Sequence, residues 1–148
     1  MLQNFESLVL IWLGIGFITF ITLLKIPAPY GKFSKTNWGP MIPSKLGWIV
    51  MEIISPLALL YFFLNGNIEK TPTNITFISL WTLHYFNRSV IYPLRQNNPA
   101  QMPLIIAVLA FLFNVMNGYI NGTYFGSIQE YSAEYMSNWN FIVGVCLF

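Results

Sequence analysis

Four long apolar runs dominate this sequence and restrict it to one class of fold. They cover residues 7–24, 46–64, 74–92 and 103–124, and a shorter run covers residues 139–148. A helix of roughly 20 apolar residues crosses the hydrocarbon core of a bilayer. Only 8% of the residues are charged, against about 25% in soluble domains. We therefore expect an all-α, multi-pass transmembrane bundle. It would form a single membrane domain over residues 1–148, with four spans, a truncated fifth helix and no β-sheet.

The basic residues predict how these helices are oriented. The connection between the first two runs holds Lys25, Lys32, Lys35 and Lys45, and Arg95 follows the third run. Lys and Arg accumulate on the cytoplasmic side of membrane proteins. The N-terminus is therefore expected outside or in the lumen. The membrane would be the endoplasmic reticulum in a eukaryote and the inner membrane in a bacterium. The first run is expected to be retained, because it lacks the flanks of a signal peptide.

Composition excludes several classes of partner. The net charge of +2 is small, which argues against a nucleic-acid binder. A single cysteine, Cys146, and a single histidine, His84, argue against a metal site. We expect a monomer in contact with membrane lipid.

Two ionisable residues lie within the apolar runs and predict a functional site. A charge at the centre of a membrane helix costs about 3 kcal/mol or more, and it marks function by default. Glu52 shares a helix face with Trp48 and Ser55 in the second run. Arg88 lies in the third run. The alternative is a structural ion pair, in which Arg88 and Glu52 hold two helices together.

The third and fourth runs carry further polar stripes. In the third run, helical spacing relates Trp81, Tyr85, Arg88 and Tyr92. Such a stripe is expected in an interfacial belt or in a binding site. His84 should point about 100° away from Tyr85 and is expected to serve packing or capping. In the fourth, one face carries Asn114, Asn117 and Asn121. These amides could join helices by hydrogen bonds or line a wet cavity or cofactor cleft.

The chemistry available to these groups is hydrogen-bond donation in an apolar pocket. Burial favours the protonated form of a carboxyl group such as that of Glu52. The phenol of Tyr85 is a neutral donor. Two donors that converge on one carbonyl oxygen would stabilise an enolate as it forms. Hydride addition to a conjugated enone has that requirement.

Several segments together resemble one enzyme family. Residues 83–94 read LHYFNRSVIYPL and resemble the VHYxHRxxIYP signature of the steroid 5-alpha-reductases. Further similarity lies in YGK at residues 30–32, WIVMEIISP at 48–56, MP at 102–103, NGYIN at 117–121 and FIVG at 141–144. The similarity extends from about residue 30 to the last residue, in the order and spacing of the family.

The resemblance implies a function and a set of site residues. Glu52 and Tyr85 would act on the carbonyl of a 3-oxo-4-ene steroid. Trp48 and Phe113 would line the steroid pocket, and Arg88 would support it. The reductant would be NADPH, with Asn117 as a candidate contact.

The sequence also departs from the family pattern. Met51 and Asn87 replace a family glutamine and histidine, and the later helices of a seven-helix fold are absent. The chain is therefore interpreted as an N-terminal part that is inactive alone. Two alternatives stay open. One is a related polyprenol or enoyl-thioester reductase, and the other is a non-enzymatic four-helix membrane protein that binds lipid or a partner.

Overall fold

The computed structural model describes residues 2–33, 35–97 and 100–148. Its α-helices are α1 (Leu2–Lys25), α2 (Ser44–Leu64), α3 (Pro72–Phe86), α4 (Tyr92–Arg95), α5 (Leu104–Thr123) and α6 (Trp139–Leu147). The remaining regular elements are strands β1 (Met41–Pro43) and β2 (Gln101–Pro103), π-helices Asn87–Ile91 and Tyr124–Ile128, and 3₁₀-helices Gly31–Phe33 and Ala133–Ser137.

Within the described residues, three helical stretches are long and apolar enough to cross a membrane. They are Gln3–Lys25, Ser44–Leu64 and Leu104–Ile128. They correspond to the first, second and fourth apolar runs. The all-α transmembrane class predicted from the sequence is thereby confirmed. Helix α6 has nine residues, which is too short for a span.

The third apolar run is helical from residue 72 to residue 95 but is not one regular α-helix. The π-helix Asn87–Ile91 interrupts it just before Pro93. Proline has no N–H to donate, and its ring clashes with the carbonyl one turn earlier. The turn widens there, and the N–H of Tyr92 bonds to the carbonyl of Asn87. That this segment is a fourth span stays a prediction.

A short β-sheet contradicts the expectation that the fold contains no strands. β1 and β2 pair antiparallel, with Ile42 opposite Met102. Each of these two residues precedes a proline that leads into a long helix. A residue before proline is driven into the extended conformation. Two extended segments at the same end of the bundle therefore pair, and the amide of Leu104 also donates to the carbonyl of Pro40 at 2.8 Å.

The opposite end of the bundle is held by a buried asparagine. Asn74 is fully buried, and its amide nitrogen donates to the carbonyls of Phe125 at 2.9 Å and Gln129 at 3.1 Å. Its side-chain oxygen accepts from the amide of Tyr131 at 3.2 Å. Lys70 donates to the carbonyls of the same region, including that of Gly66 at 2.7 Å. The start of α3 is thus fixed to the segment that follows α5.

Helices α2 and α5 approach each other closely along a row of glycines. A Cβ atom on Gly118 would lie 2.7 Å from the Cβ of Ala58, and one on Gly122 would lie 2.6 Å from the carbonyl oxygen of Leu59. Small residues four apart allow membrane helices to pack backbone to backbone. The role of these two glycines was not predicted from the sequence. Their contact fixes the two helices that carry Glu52 and Phe113.

Candidate functional site

A cavity of about 400 Å³ lies between α2, the α3 segment and α5. All five residues predicted to bind or transform the substrate line it: Trp48, Glu52, Tyr85, Arg88 and Phe113. The remaining wall consists of Tyr30, Met51, His84, Met102, Ile106, Ala110 and Asn114. Ligand pockets range from about 300 to 1,000 Å³ and are mostly apolar. The helical spacing therefore brought the predicted side chains together, while their roles stay predictions.

Glu52 and Arg88 form an ion pair at the edge of this cavity. The Nη2 atom of Arg88 donates to Oε1 of Glu52 at 2.5 Å. The Glu52 side chain is 5% exposed, whereas that of Arg88 is 40% exposed. The guanidinium also lies over the ring of Trp48, with its Cζ 5.2 Å from the ring centroid. The sequence predicted that the Glu52 carboxyl group donates a hydrogen bond, but in the structure it accepts one from Arg88. This contact is the one expected from the alternative interpretation, a structural ion pair.

The hydroxyl of Tyr85 lies in a network of side-chain amides. It donates to Oδ1 of Asn114 at 3.2 Å, and Nδ2 of Asn117 lies 3.5 Å from it as a second donor. Asn114 is buried, and its own amide donates to the carbonyl of Met51 at 2.6 Å. Asn114 therefore connects α5 to α2 and also fixes the phenol. Asn114 therefore joins two helices by a hydrogen bond and also lines the cavity, the two roles considered for the asparagine stripe.

The other two asparagines of the stripe are placed differently. Nδ2 of Asn121 donates to the backbone carbonyl of Asn117 at 2.9 Å and to its side-chain oxygen at 3.1 Å. Neither residue lines the cavity described above. Asn117 reaches the site through Tyr85, and its contact with a cofactor stays a prediction.

The placement of His84 corrects a prediction. Helical spacing predicted that the His84 side chain points away from that of Tyr85, but both residues line the same cavity. Its ring meets that of Tyr85 edge to face, with centroids 5.3 Å apart, and lies 5.5 Å from the ring of Phe148. The side chains of neighbouring residues in a helix point in directions about 100° apart. A broad cavity can be lined by both of them, and so by more than the residues of one helix face.

Tyr30 and Met102 complete the wall from outside the long helices. Tyr30 lies in the loop after α1, and Met102, in β2, is 1% exposed. The YGK and MP segments had been noted as family motifs without a role for these two residues. Helical periodicity cannot assign residues that reach a site from a loop or a strand.

The cavity that Trp48, Glu52 and Tyr85 line does not fit the phosphates of a dinucleotide. NADPH requires cations or backbone N–H groups for its phosphates. Among the described residues that line the cavity, Arg88 supplies the positive charge, and it is paired with Glu52. The site therefore fits an apolar ligand with a carbonyl group, and it does not fit the phosphates of a nucleotide.

Comparison with known proteins supports the resemblance. Residues 100–148 match the family model described as 3-oxo-5-alpha-steroid 4-dehydrogenase. Steroid 5-alpha-reductase DET2 of Gossypium hirsutum is 39% identical, over 88% of this chain and 52% of its own length. The DET2 protein of Arabidopsis thaliana is 35% identical over the same shares. 3-oxo-5-alpha-steroid 4-dehydrogenase 1 of Bos taurus is 26% identical, over 96% of this chain and 57% of its own length.

The chain spans about half the length of the curated relatives it matches. The residues that the family model matches contain α5 and α6. These matches confirm the resemblance indicated by the sequence motifs: over the region that it shares with these relatives, the chain is similar to members of the steroid 5-alpha-reductase family.

Proposed function

We propose that this chain forms the carbonyl-binding part of a membrane reductase that acts on the 4,5 double bond of 3-oxo-4-ene steroids. The observation that carries the proposal is the convergence of Tyr85, Arg88 and Glu52 on one largely apolar cavity. The names of the relatives supply the reaction. NADPH is proposed as the reductant on the family resemblance alone, and it would supply the hydride.

In this proposal Tyr85 and Arg88 donate hydrogen bonds to the ligand carbonyl. The phenol now donates to Asn114, and it can turn to the ligand while Asn117 continues to donate to its oxygen. Arg88 uses Nη2 for Glu52, which leaves other N–H groups of its guanidinium free to face the cavity. Glu52 orients Arg88. Both donors favour the charge that develops on the oxygen of an enolate.

The apolar wall supplies binding energy and excludes water. Trp48 and Phe113 both line the cavity, and Trp12 of α1 stacks on Phe113 with ring centroids 5.7 Å apart. Burial of apolar surface contributes roughly 25 cal/mol per Å². The rigid hydrocarbon skeleton of a steroid would bury most of its surface there. A flexible polyprenol or thioester chain offers the same apolar contacts, so those substrates form the alternative within the same reaction class.

A second candidate function is a non-enzymatic membrane protein that binds lipid or a partner. The ion pair between Glu52 and Arg88 favours it, because a buried carboxylate paired with arginine can serve packing alone. The two proposals differ in what the tyrosine does. A structural pair needs no phenol in the cavity, whereas carbonyl binding does.

Binding of an enone to the chain in lipid nanodiscs tests the proposed function. Testosterone is expected to bind, and Tyr85→Phe should weaken binding, because a donor to the carbonyl is lost. Ser79→Ala is a matched control, since the Ser79 hydroxyl lies on a different face and outside this cavity. Equal affinity of the wild-type chain for testosterone and for its analogue without the ring carbonyl would contradict carbonyl recognition.

Turnover is tested in a chimera. The chain would be joined to the remaining half of the Gossypium relative and supplied with testosterone and NADPH. We expect reduced steroid from the chimera and none from the 148-residue chain alone. Turnover by the chain alone would show that the cofactor site has been misplaced.

The proposal includes a location and an orientation. The apolar helices indicate an integral membrane protein. We propose the endoplasmic reticulum in a eukaryote, or the inner membrane in a bacterium, with the N-terminus outside or in the lumen. In support, the two lysine- and arginine-bearing connections meet at one end of the bundle through the β1–β2 pairing. A monomer is proposed as the functional unit.

A further inference from the structure

Trp81 and Ser55 form a contact beside the candidate site that the proposed function does not use. Ser55 of α2 is fully buried, and its hydroxyl oxygen accepts a hydrogen bond from Nε1 of Trp81 at 3.2 Å. Trp81 precedes Tyr85 by one turn of α3. Their rings are stacked, with centroids 5.4 Å apart and planes inclined by 25°. Ser55 thus reaches Tyr85 through the indole ring.

Helix α2 holds the α3 segment at two points, one on each side of Tyr85. Ser55 binds Trp81 before it, and Glu52 binds Arg88 after it. Both acceptors on α2 are buried, and they lie three residues apart on one helix face. Tyr85 therefore lies between two polar contacts that the same helix makes.

The hydrogen bond to Ser55 determines how the indole ring of Trp81 lies. An indole ring has one N–H group, on one edge. A ring turned over would direct that N–H away from Ser55, and buried tryptophan N–H groups are usually paired. The bond therefore selects one orientation of Trp81, and with it the plane against which Tyr85 stacks.

The stacked ring is the restraint on Tyr85 that remains when its hydroxyl turns to a ligand. The hydroxyl now donates to Asn114 at 3.2 Å, and that bond is lost when the phenol donates to a carbonyl instead. Stacking on Trp81 does not depend on the direction of the O–H bond. It fixes the ring, and the ring fixes the phenol oxygen. A reacting group displaced by about 1 Å can lower a rate about a hundredfold.

We propose that Ser55 and Trp81 are positioning residues for Tyr85, which hold the phenol oxygen at one place in the cavity. That this placement serves turnover rests on the proposed function, whereas the placement itself can be measured in the unliganded chain. Neither residue lines the candidate cavity. Both therefore act through Tyr85 and not by contact with the ligand.

Fluorine NMR of the chain in lipid nanodiscs tests the placement, with 3-fluorotyrosine incorporated at residue 85 alone. The ring current of the stacked indole should displace the fluorine resonance from that of free 3-fluorotyrosine and leave a single signal. Ser55→Ala should move the resonance toward the free value and broaden it, because Trp81 then samples more than one orientation. An unchanged resonance in Ser55→Ala would overturn the proposal.

Two further variants separate positioning from a general loss of packing, since Trp81 also packs against the hydrophobic core. Trp81→Phe keeps a ring that can stack on Tyr85 but has no N–H, so adding Ser55→Ala to it should have no further effect on the resonance. Thr73→Val is the matched control, because it removes an equally buried hydroxyl, which donates to the carbonyl of Ser132 at 2.7 Å at the start of α3. A change in Thr73→Val as large as that in Ser55→Ala would overturn the proposal.

Turnover of testosterone by the chimera tests the consequence for the reaction. Ser55→Ala should lower kcat about tenfold and raise KM by a smaller factor, because the apolar wall of the cavity is intact. An unchanged kcat would overturn the proposal while leaving the proposed function in place. If the fluorine resonance responds as expected but the unsubstituted chimera neither binds nor reduces testosterone, the positioning of Tyr85 stands and the proposed function fails.

Discussion

The hydroxyl of Tyr85 is held between two asparagine amides, and this placement determines its chemistry. Asn114 accepts from it, and Asn117 approaches it as a donor. A phenol with its oxygen already accepting is a better donor to a third partner, because hydrogen bonds in a chain polarise one another. The adjacent His84 also lines the cavity, but it contacts Tyr85 through its ring.

Tyr85→Phe should lower turnover of the chimera by about 10² to 10³, or roughly 3 to 4 kcal/mol, because one donor to the developing oxyanion is lost. The ring remains and keeps its apolar contacts, so the affinity for the enone should fall by a smaller factor than the rate. His84→Ala is the comparison and should cost less than tenfold in rate. Steady-state kinetics of enone reduction in the chimera measures both. Loss of activity in His84→Ala with a fully active Tyr85→Phe would assign the histidine in place of the tyrosine.

The ion pair between Glu52 and Arg88 predicts strong coupling between the two residues. If Glu52 positions Arg88, then Glu52→Gln should weaken enone binding, and so should Arg88→Met. The double variant should bind the enone only slightly less tightly than the single variant that has the lower affinity. We expect a coupling energy of about 0.5 to 3 kcal/mol from a double-mutant cycle of enone affinities. Additive effects would show that Glu52 contacts the ligand independently, as the sequence interpretation proposed.

At the scale of the elements, the contact between α2 and α5 positions the site. Glu52 and Ser55 lie on one helix, and Asn114 lies on the other. The backbones meet at Gly118 and Gly122, where a side chain would collide with α2 backbone or Ala58. Any separation of the helices would move Asn114 away from Met51 and release Tyr85.

Gly122→Ala should therefore destabilise the protein by about 1 to 3 kcal/mol, the usual cost of an overpacked contact. The added methyl would approach the Leu59 carbonyl oxygen to 2.6 Å. Gly16→Ala is the matched control, because nothing lies within 4 Å of its Cβ position. It should be neutral or slightly stabilising, since alanine has the higher helix propensity. Denaturation in micelles measures both. Equal stability of the two variants would contradict the close contact.

The π-helix before Pro93 shows where helical spacing loses accuracy. A regular helix places residues by a fixed rotation, and the helix faces predicted for residues 74–92 assume that this rotation is constant. The wider turn at Asn87–Ile91 shifts this rotation near Arg88. Arg88 still reaches Glu52, but the faces of the residues around it could not be derived from spacing alone.

At the scale of the whole molecule, the sequence predicted the apolar helices and the convergence of their polar faces. Both follow from local composition and periodicity, which can be determined from each stretch of the sequence by itself. Other features depend on segments that lie far apart in the chain. They are the β1–β2 pairing, the contact of Gly118 and Gly122 with α2, and the place of Tyr30 in the cavity. Only Pro43 and Pro103 signalled the strands, because each forces its preceding residue into an extended conformation.

The arrangement of the two ends of the bundle supports a prediction of orientation. β1 lies between Lys35 and Lys45 in the chain and pairs with β2, which follows Arg95, whereas Asn67 lies in the connection at the opposite end. In a Cys146→Ser background, single cysteines at Thr36 and Asn67 can be labelled with a membrane-impermeant maleimide. In sealed vesicles whose cytoplasmic face points outward, Thr36→Cys should react at once. Asn67→Cys should react only after permeabilisation, because the positively charged end is cytoplasmic. The reverse pattern would invert the topology, and equal labelling at both positions would contradict a spanning α2.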